Sequence, residues 1–229
     1  MRLLTVRHGQ ASFGADDYDR LSERGWQQAR RLGDWLSGHG EPFARVLCGG
    51  MRRHRETFDA IAAAYAERDL PLPAPQFEPD FNEFDHQAVL EGFITLQQDH
   101  PSVAGWQANP SHPPAVFALL RDAFGCWASG ALDHFGEPWA AFRERTRAAA
   151  RRLHAGMGDG SVLLVSSGGV LAQLAAAALE APDARAVELN LSLRNSALAE
   201  FHALPDGLRL GSWNALPHLA DARELWTYY

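Results

Sequence analysis

The chain has 229 residues, of which 46% are hydrophobic and 21% charged. That is enough apolar chain to close one core without disulfide or metal staples, and the composition is that of a globular protein rather than a disordered one. Its formal charge of -7, with arginine as the only basic residue besides histidine, argues against a general nucleic-acid or anionic-membrane partner, since such partners need a basic face.

Met1 leads at once into a strand-like run with no charged leader, and no stretch approaches the ~20 apolar residues of a membrane-spanning helix. The reading is a cytoplasmic protein with one domain over 1–229. Cys48 and Cys126 stand too far apart for a zinc motif, so no metal and no cofactor is expected.

Residues 2–6 form a short, partly β-branched apolar run ending at Arg7-His8-Gly9, as a buried parallel strand ends at a functional loop. Ser22 caps a predicted helix running to about His39, with Leu21, Ala29, Leu32 and Leu36 on one stripe and Gly38 and Gly40 as its stop. A second strand, Arg45 to Cys48, leads into a helix from about Met51 to Arg68, with Phe58, Ile61 and Tyr65 on one face.

Between about 70 and 114 eight prolines interrupt regular structure, which predicts a lid-like insertion with short helices. Helices follow at about 115–130 and 138–156. The apolar strand 161–166 then turns through Ser167-Gly168-Gly169 into a helix ending near Leu179, and 187–213 reads as strands at the sheet edge. Alternating strands and helices predict an α/β three-layer sandwich, a mainly parallel sheet with helices on both faces and ligands at the strands' carboxyl ends.

Four constellations carry chemistry. In Arg7-His8-Gly9-Gln10 an imidazole can attack phosphorus, a guanidinium can fork two phosphate oxygens, and glycine allows close backbone approach. Arg53 to Thr57 places arginine at a helix start, a site that favours anions. Glu83, between Phe81 and Phe84, is an acid whose proton affinity aromatic neighbours would raise, as a general acid requires. Ser166-Ser167-Gly168-Gly169 presents backbone N–H groups at another helix start. Taken singly, each is as readily a solvated arginine face, an ordinary loop carboxylate or a structural glycine turn.

Together, in this order, they resemble the histidine-phosphatase superfamily, phosphoglycerate-mutase-like branch 1. Its signature is matched by Arg7-His8-Gly9, Leu21-Ser22-Glu23-Arg24-Gly25, Arg53 to Thr57, Glu83 and Ser166-Ser167-Gly168. The resemblance implies phosphomonoester hydrolysis of the histidine-acid-phosphatase type. His8 would take the phosphoryl group, Glu83 would protonate the departing alcohol, and water would release phosphate. Arg7 and Arg53 would clamp the phosphate, with Ser167, Gly168 and Asn195 also on it.

The chain also departs from that pattern. Ser167 stands where the family carries a second histidine, and a hydroxyl can donate a hydrogen bond but not a positive charge. Losing one transition-state donor typically costs about 10²–10³ in rate, which predicts impairment rather than abolition. His54 beside Arg53 and His86 after Glu83 are nearby imidazoles, each more often incidental than a replacement. Cys48-Gly49-Gly50-Met51 replaces the usual Ser-Pro-Leu, and Ala11-Ser12-Phe13 replaces the common Thr and Asn arrangement.

Three readings therefore stand: a phosphatase of low activity, an impaired phospho-ligand-binding or regulatory protein, and, ranked behind them, a phosphoglycerate-type mutase. The partner is a small phosphorylated molecule or phosphate. The insertion, with His86, Phe93 and Trp106, would set specificity. Oligomeric state is open, a homodimer included, and Trp226 to Tyr229 reads as a docking tail or partner contact.

Overall fold

The computed structural model describes residues 1–12, 17–39 and 42–228. Gly40, Phe13 and Tyr229 of the sequence reading lie outside them. The elements are β1 (Arg2–Arg7), α1 (Glu23–His39), β2 (Phe43–Cys48), α2 (Arg52–Ala66), β3 (Pro75–Phe77), α3 (His86–Leu96), α4 (Pro101–Ala108) and α5 (Pro113–Ala128). After them come α6 (Trp139–Ala155), β4 (Ser161–Ser166), α7 (Gly168–Ala178), α8 (Asp183–Ser192), β5 (Leu198–Leu204) and β6 (Gly207–Ala215).

Among the described residues the strands form one six-stranded sheet in the order β3-β2-β4-β1-β5-β6. The β3-β2-β4-β1 half is parallel, and the β1-β5-β6 edge is antiparallel. The period-2 alternation of a strand sends side chains to opposite faces, which divides the core. Leu3, Val162 and Leu164 point to the side packed by α5, α6, α7 and α8, in one cluster with Phe84, Trp127 and Phe142. Leu4, Val6, Leu163 and Val165 point to the side packed by α1 and α2, in a cluster with Leu32, Leu36, Ile61 and Tyr65. Each such side chain contributes roughly 1.5–3 kcal/mol on full burial, which is why β4, buried at every position, sits in the middle.

The expected three-layer arrangement is therefore present, with two local corrections. The stretch from 187 begins as helix rather than strand: Pro182 precedes an Asp183 start, and Ala186 and Val187 bury one face of α8 against the core. The closing strands come later, as a hairpin turned at Pro205-Asp206, with Gly207 opening the last strand at φ +139. The Pro-rich segment is also more regular than its prolines suggest. Pro75 lies in an edge strand, where a missing N–H is tolerated, and Pro101 and Pro113 each open a helix at a position that needs no amide donor. Among the described residues no helix is long and apolar enough to cross a membrane.

Candidate active site

β1 and β4 are neighbours in register, Arg7 opposite Ser166, so their carboxyl ends deliver His8 and Ser167 side by side. The His8 amide continues the ladder onto the Ser166 carbonyl at 2.8 Å. The loop after β1 is fastened from two helices. Gly9 N–H donates to Thr57 Oγ1 at 3.0 Å, and Gln10 N–H to Gln28 Oε1 at 2.8 Å. Gly9 also lies back to back with Gly25 of α1, and a Cβ on Gly9 would stand 2.4 Å from the Gly25 carbonyl oxygen. The two motif glycines thus serve the close approach of loop and helix. Ser22 caps α1, its Oγ accepting the Gly25 amide at 3.0 Å.

His8 is buried at 5% exposure. Arg53 Nε donates to His8 Nε2 at 3.2 Å, and since guanidinium has no acceptor, Nε2 must carry a lone pair. The ring proton therefore sits on Nδ1 and points at the Gly9 carbonyl oxygen, 2.7 Å away. Burial, then the positive charges of Arg53 and Arg7, hold the His8 pKa well below its ordinary value. The result is a neutral imidazole whose unprotonated nitrogen faces Arg53, with the charge of Arg7 also acting on it.

Arg53, at 3% exposure, is aimed by a salt bridge from Nη1 to Asp19 Oδ1 at 2.6 Å. Asp19 also accepts the Arg52 amide at 2.7 Å, so one carboxylate caps α2 and orients its arginine. Arg7 donates through Nη1 to the Leu193 carbonyl, while its buried Nε has no partner among the described residues and lies beside Gly168. A buried guanidinium N–H left unpaired is costly unless an anion meets it.

Glu83 reaches the same place from the segment before α3. Its Oε2 accepts the Gly169 amide at 2.9 Å. Desolvation raises its pKa, against the lowering influence of that amide and of Arg53 and Arg7. The desolvating wall is Phe84, whose ring lies 4.3 Å from Trp127 and 5.2 Å from Phe124 and Phe142.

Arg7, His8, Arg53 and Glu83 line one cavity of about 90 Å³, walled by Tyr18, Phe84, His86, Phe117, Leu120, Phe124, Asn190, Leu191 and Tyr228. Arg7, His8, Arg53 and Glu83 were all singled out in the sequence. Tyr18, Asp19, Asn190 and the α5 wall were not, for they carry no local motif and join the site only through folding.

Asn195 is placed otherwise. Its Nδ2 faces the His8 carbonyl at 3.5 Å and its Oδ1 accepts Thr227 Oγ1–H at 2.8 Å, so it braces the end of β1 against the C-terminal segment. That segment folds back on its own chain: Gln28 donates to Leu225 and Thr227, and Arg194 stacks on Trp226 and Tyr228. Of the insertion's aromatics, His86 faces the cavity, while Phe93 is buried in the core and Trp106 packs against it. Ser167 is fully buried at the start of α7, and Gly168 lies against Arg7 and Asn190.

Residues 3–216 match the family model of the histidine phosphatase superfamily (branch 1). Comparison with curated proteins gives no match. Among solved structures, a putative alpha-ribazole-5'-P phosphatase from Escherichia coli superposes with a TM-score of 0.64 at 23% identity, covering 94% of this chain and 97% of its own. A mycobacterial glucosyl-3-phosphoglycerate phosphatase in complex with VO3 gives 0.65 at 22% identity, covering 93% and 99%. A phosphoserine phosphatase mutant from Entamoeba histolytica in complex with phosphoserine gives 0.64 at 16% identity, covering 95% and 98%. With the family model spanning nearly its whole length and the same fold shared end to end, this chain belongs to the histidine phosphatase superfamily, branch 1.

Proposed function

We propose that the protein hydrolyses phosphomonoesters of small molecules through a phosphohistidine on His8. The observation that carries this reading is the neutral His8 Nε2, held at 3.2 Å by Arg53 Nε in a cavity shared with Arg7 and Glu83. A phosphate oxygen arriving at Arg53 and at the unpaired Arg7 Nε would take over both donors and release the His8 lone pair. Nε2 then bonds phosphorus, the phosphorus–oxygen ester bond breaks, and the leaving oxygen takes the Glu83 proton. In the second half, water attacks phosphorus, Glu83 takes its proton, and the phosphorus–nitrogen bond breaks to return neutral His8 and free phosphate. Phe117, Leu120, Phe124 and Leu191 favour an apolar or aromatic group on the leaving side.

The alternative, a phospho-ligand-binding protein without turnover, draws on Ser167 in place of a cationic donor. The proton donor Glu83, of no use to a pure binder, favours hydrolysis. The test is incubation with an aryl phosphate labelled on phosphorus, quenched in alkaline detergent, with wild type and His8→Ala side by side. Turnover with an acid-labile, alkali-stable phosphoenzyme in wild type and neither in His8→Ala is expected. Wild-type turnover that survives His8→Ala would overturn the reading, and phosphate binding without turnover would favour the binder.

A further inference from the structure

Two positions at which this chain departs from its family's pattern, Gly49 and Ser167, meet at one side chain, His54. His54 is fully buried on the first turn of α2, and its Nε2 stands 2.6 Å from Ser167 Oγ. The other edge of its ring rests on Gly49, where an added Cβ would lie 2.2 Å from Nδ1 and 2.7 Å from Cε1. Any other residue at 49 would evict the imidazole. The ring is tilted 42° against His8, with centroids 5.7 Å apart.

Ser167 is shaped by the same contact. A serine just before a helix ordinarily accepts an amide from the first turn. Here it makes no such bond, and the Gly169 amide goes to Glu83 instead. The Ser167 hydroxyl is therefore committed to His54 from one side, while the β1–β4 register places it next to His8 on the other.

We propose that His54 is a positioning residue for phosphoryl transfer: an imidazole supplied from α2, admitted by Gly49 and coupled through Ser167, that takes the place of the histidine missing from the β4–α7 turn. Against an anion the Ser167 hydroxyl can only donate. The 2.6 Å bond then requires His54 Nε2–H to donate to Oγ, so the imidazole backs the hydroxyl as charge is drawn through it. On its other side the ring fills the space beside His8. It is also one of the groups, after burial and the two arginines, that keep His8 unprotonated. The charged side chains around the two imidazoles are Arg7 from β1, Arg53 from α2 and Glu83 before α3.

This inference rests on the phosphoryl-transfer reading, and its test separates the two. Orthovanadate binding and the pH profile of aryl-phosphate hydrolysis are measured for wild type, His54→Ala, Ser167→Ala, the double variant, and His54→Ala combined with Ser167→His. Each single variant should lose about tenfold or more in vanadate affinity and kcat/KM, and the double variant should lose no more than the worse single one. The acid limb of the kcat/KM profile should move in His54→Ala. Ser167→His alone should gain nothing, because His54 already fills the space, whereas its combination with His54→Ala should recover activity. His54→Gln, which keeps a donor toward Ser167, should retain more than His54→Ala and serves where the alanine variant does not fold.

Additive losses, an unmoved acid limb, or a His54→Ala protein equal to wild type would overturn the inference alone. Vanadate binding without turnover would overturn the hydrolase reading and leave the vanadate cycle to judge His54. Folded wild type that does not bind vanadate would overturn both.

Discussion

Replacing Glu83 by glutamine separates its chemistry from its scaffolding. The amide keeps an oxygen to accept the Gly169 N–H now at 2.9 Å, and the Phe84 wall is untouched, so the fold and the phosphate subsite should persist. What is lost is the proton for the leaving oxygen. General acid catalysis is worth about 10²–10⁴ in rate, or about 2.7–5.4 kcal/mol of barrier, but only where the leaving group needs protonation. Hydrolysis of an alkyl phosphate, whose alkoxide leaves poorly, should therefore fall by that factor. With para-nitrophenyl phosphate, whose anion leaves unaided, the first half-reaction should be nearly unaffected, read as the burst of phenolate. The pH profile gives a second mark. Burial raises the Glu83 pKa, so the alkaline limb for the alkyl ester should lie above the ordinary carboxylate range and should vanish in Glu83→Gln. Equal losses on both substrates, or an alkaline limb that survives the substitution, would refute the assignment.

Three further outcomes follow from the same geometry. Arg53→Ala removes a charge-assisted donor, worth about 1.5–3 kcal/mol or roughly 10- to 150-fold in kcat/KM; because Arg53 also depresses the His8 pKa, the acid limb should shift upward in pH, and an unshifted limb would contradict the contact. Stability should fall as pH drops below 6.5, because buried His218, lowered to about 3 by burial, stays neutral in the fold and gains a proton on unfolding, by up to about 1.4 kcal/mol per pH unit. His8 and His54 act in the same direction and Glu83 in the opposite one, so urea unfolding should show lower stability at pH 5.5 than at 7.5. Phe142→Ala, which empties a fully buried ring site between Phe84 and Trp127, should cost about 3–5 kcal/mol in the same assay, and a loss below about 1 would mean the aromatic cluster is not a packed unit.

Much of the architecture is legible in the chain because it is set by local periodicity. The run 161–166 is apolar at nearly every position, as a strand covered on both faces must be, and Ser22 and Gly25 mark the start of α1 by chemistry that reaches only three residues. The same locality explains the misreading at 187: an apolar run too short to distinguish strand from helix took its helical form from a start at Pro182-Asp183 and a face on the core. His8, Arg7, Arg53 and Glu83 were legible because their motifs combine residue type with a fixed offset from a strand end. Their partners were not. Asp19 reaches Arg53 across 34 positions, and Tyr228 enters the cavity from the far end of the chain, neither with a local signal. His54 marks the boundary most sharply. In the sequence it is one more histidine on an arginine-rich helix, and only the adjacency of β2 and β4 brings Ser167 to it from 113 positions away, with Gly49 leaving the room. Hydrophobic pattern determines where strands and helices form, whereas which side chains meet across the sheet's carboxyl edge depends on strand order and loop path, and those exist only once the core has closed.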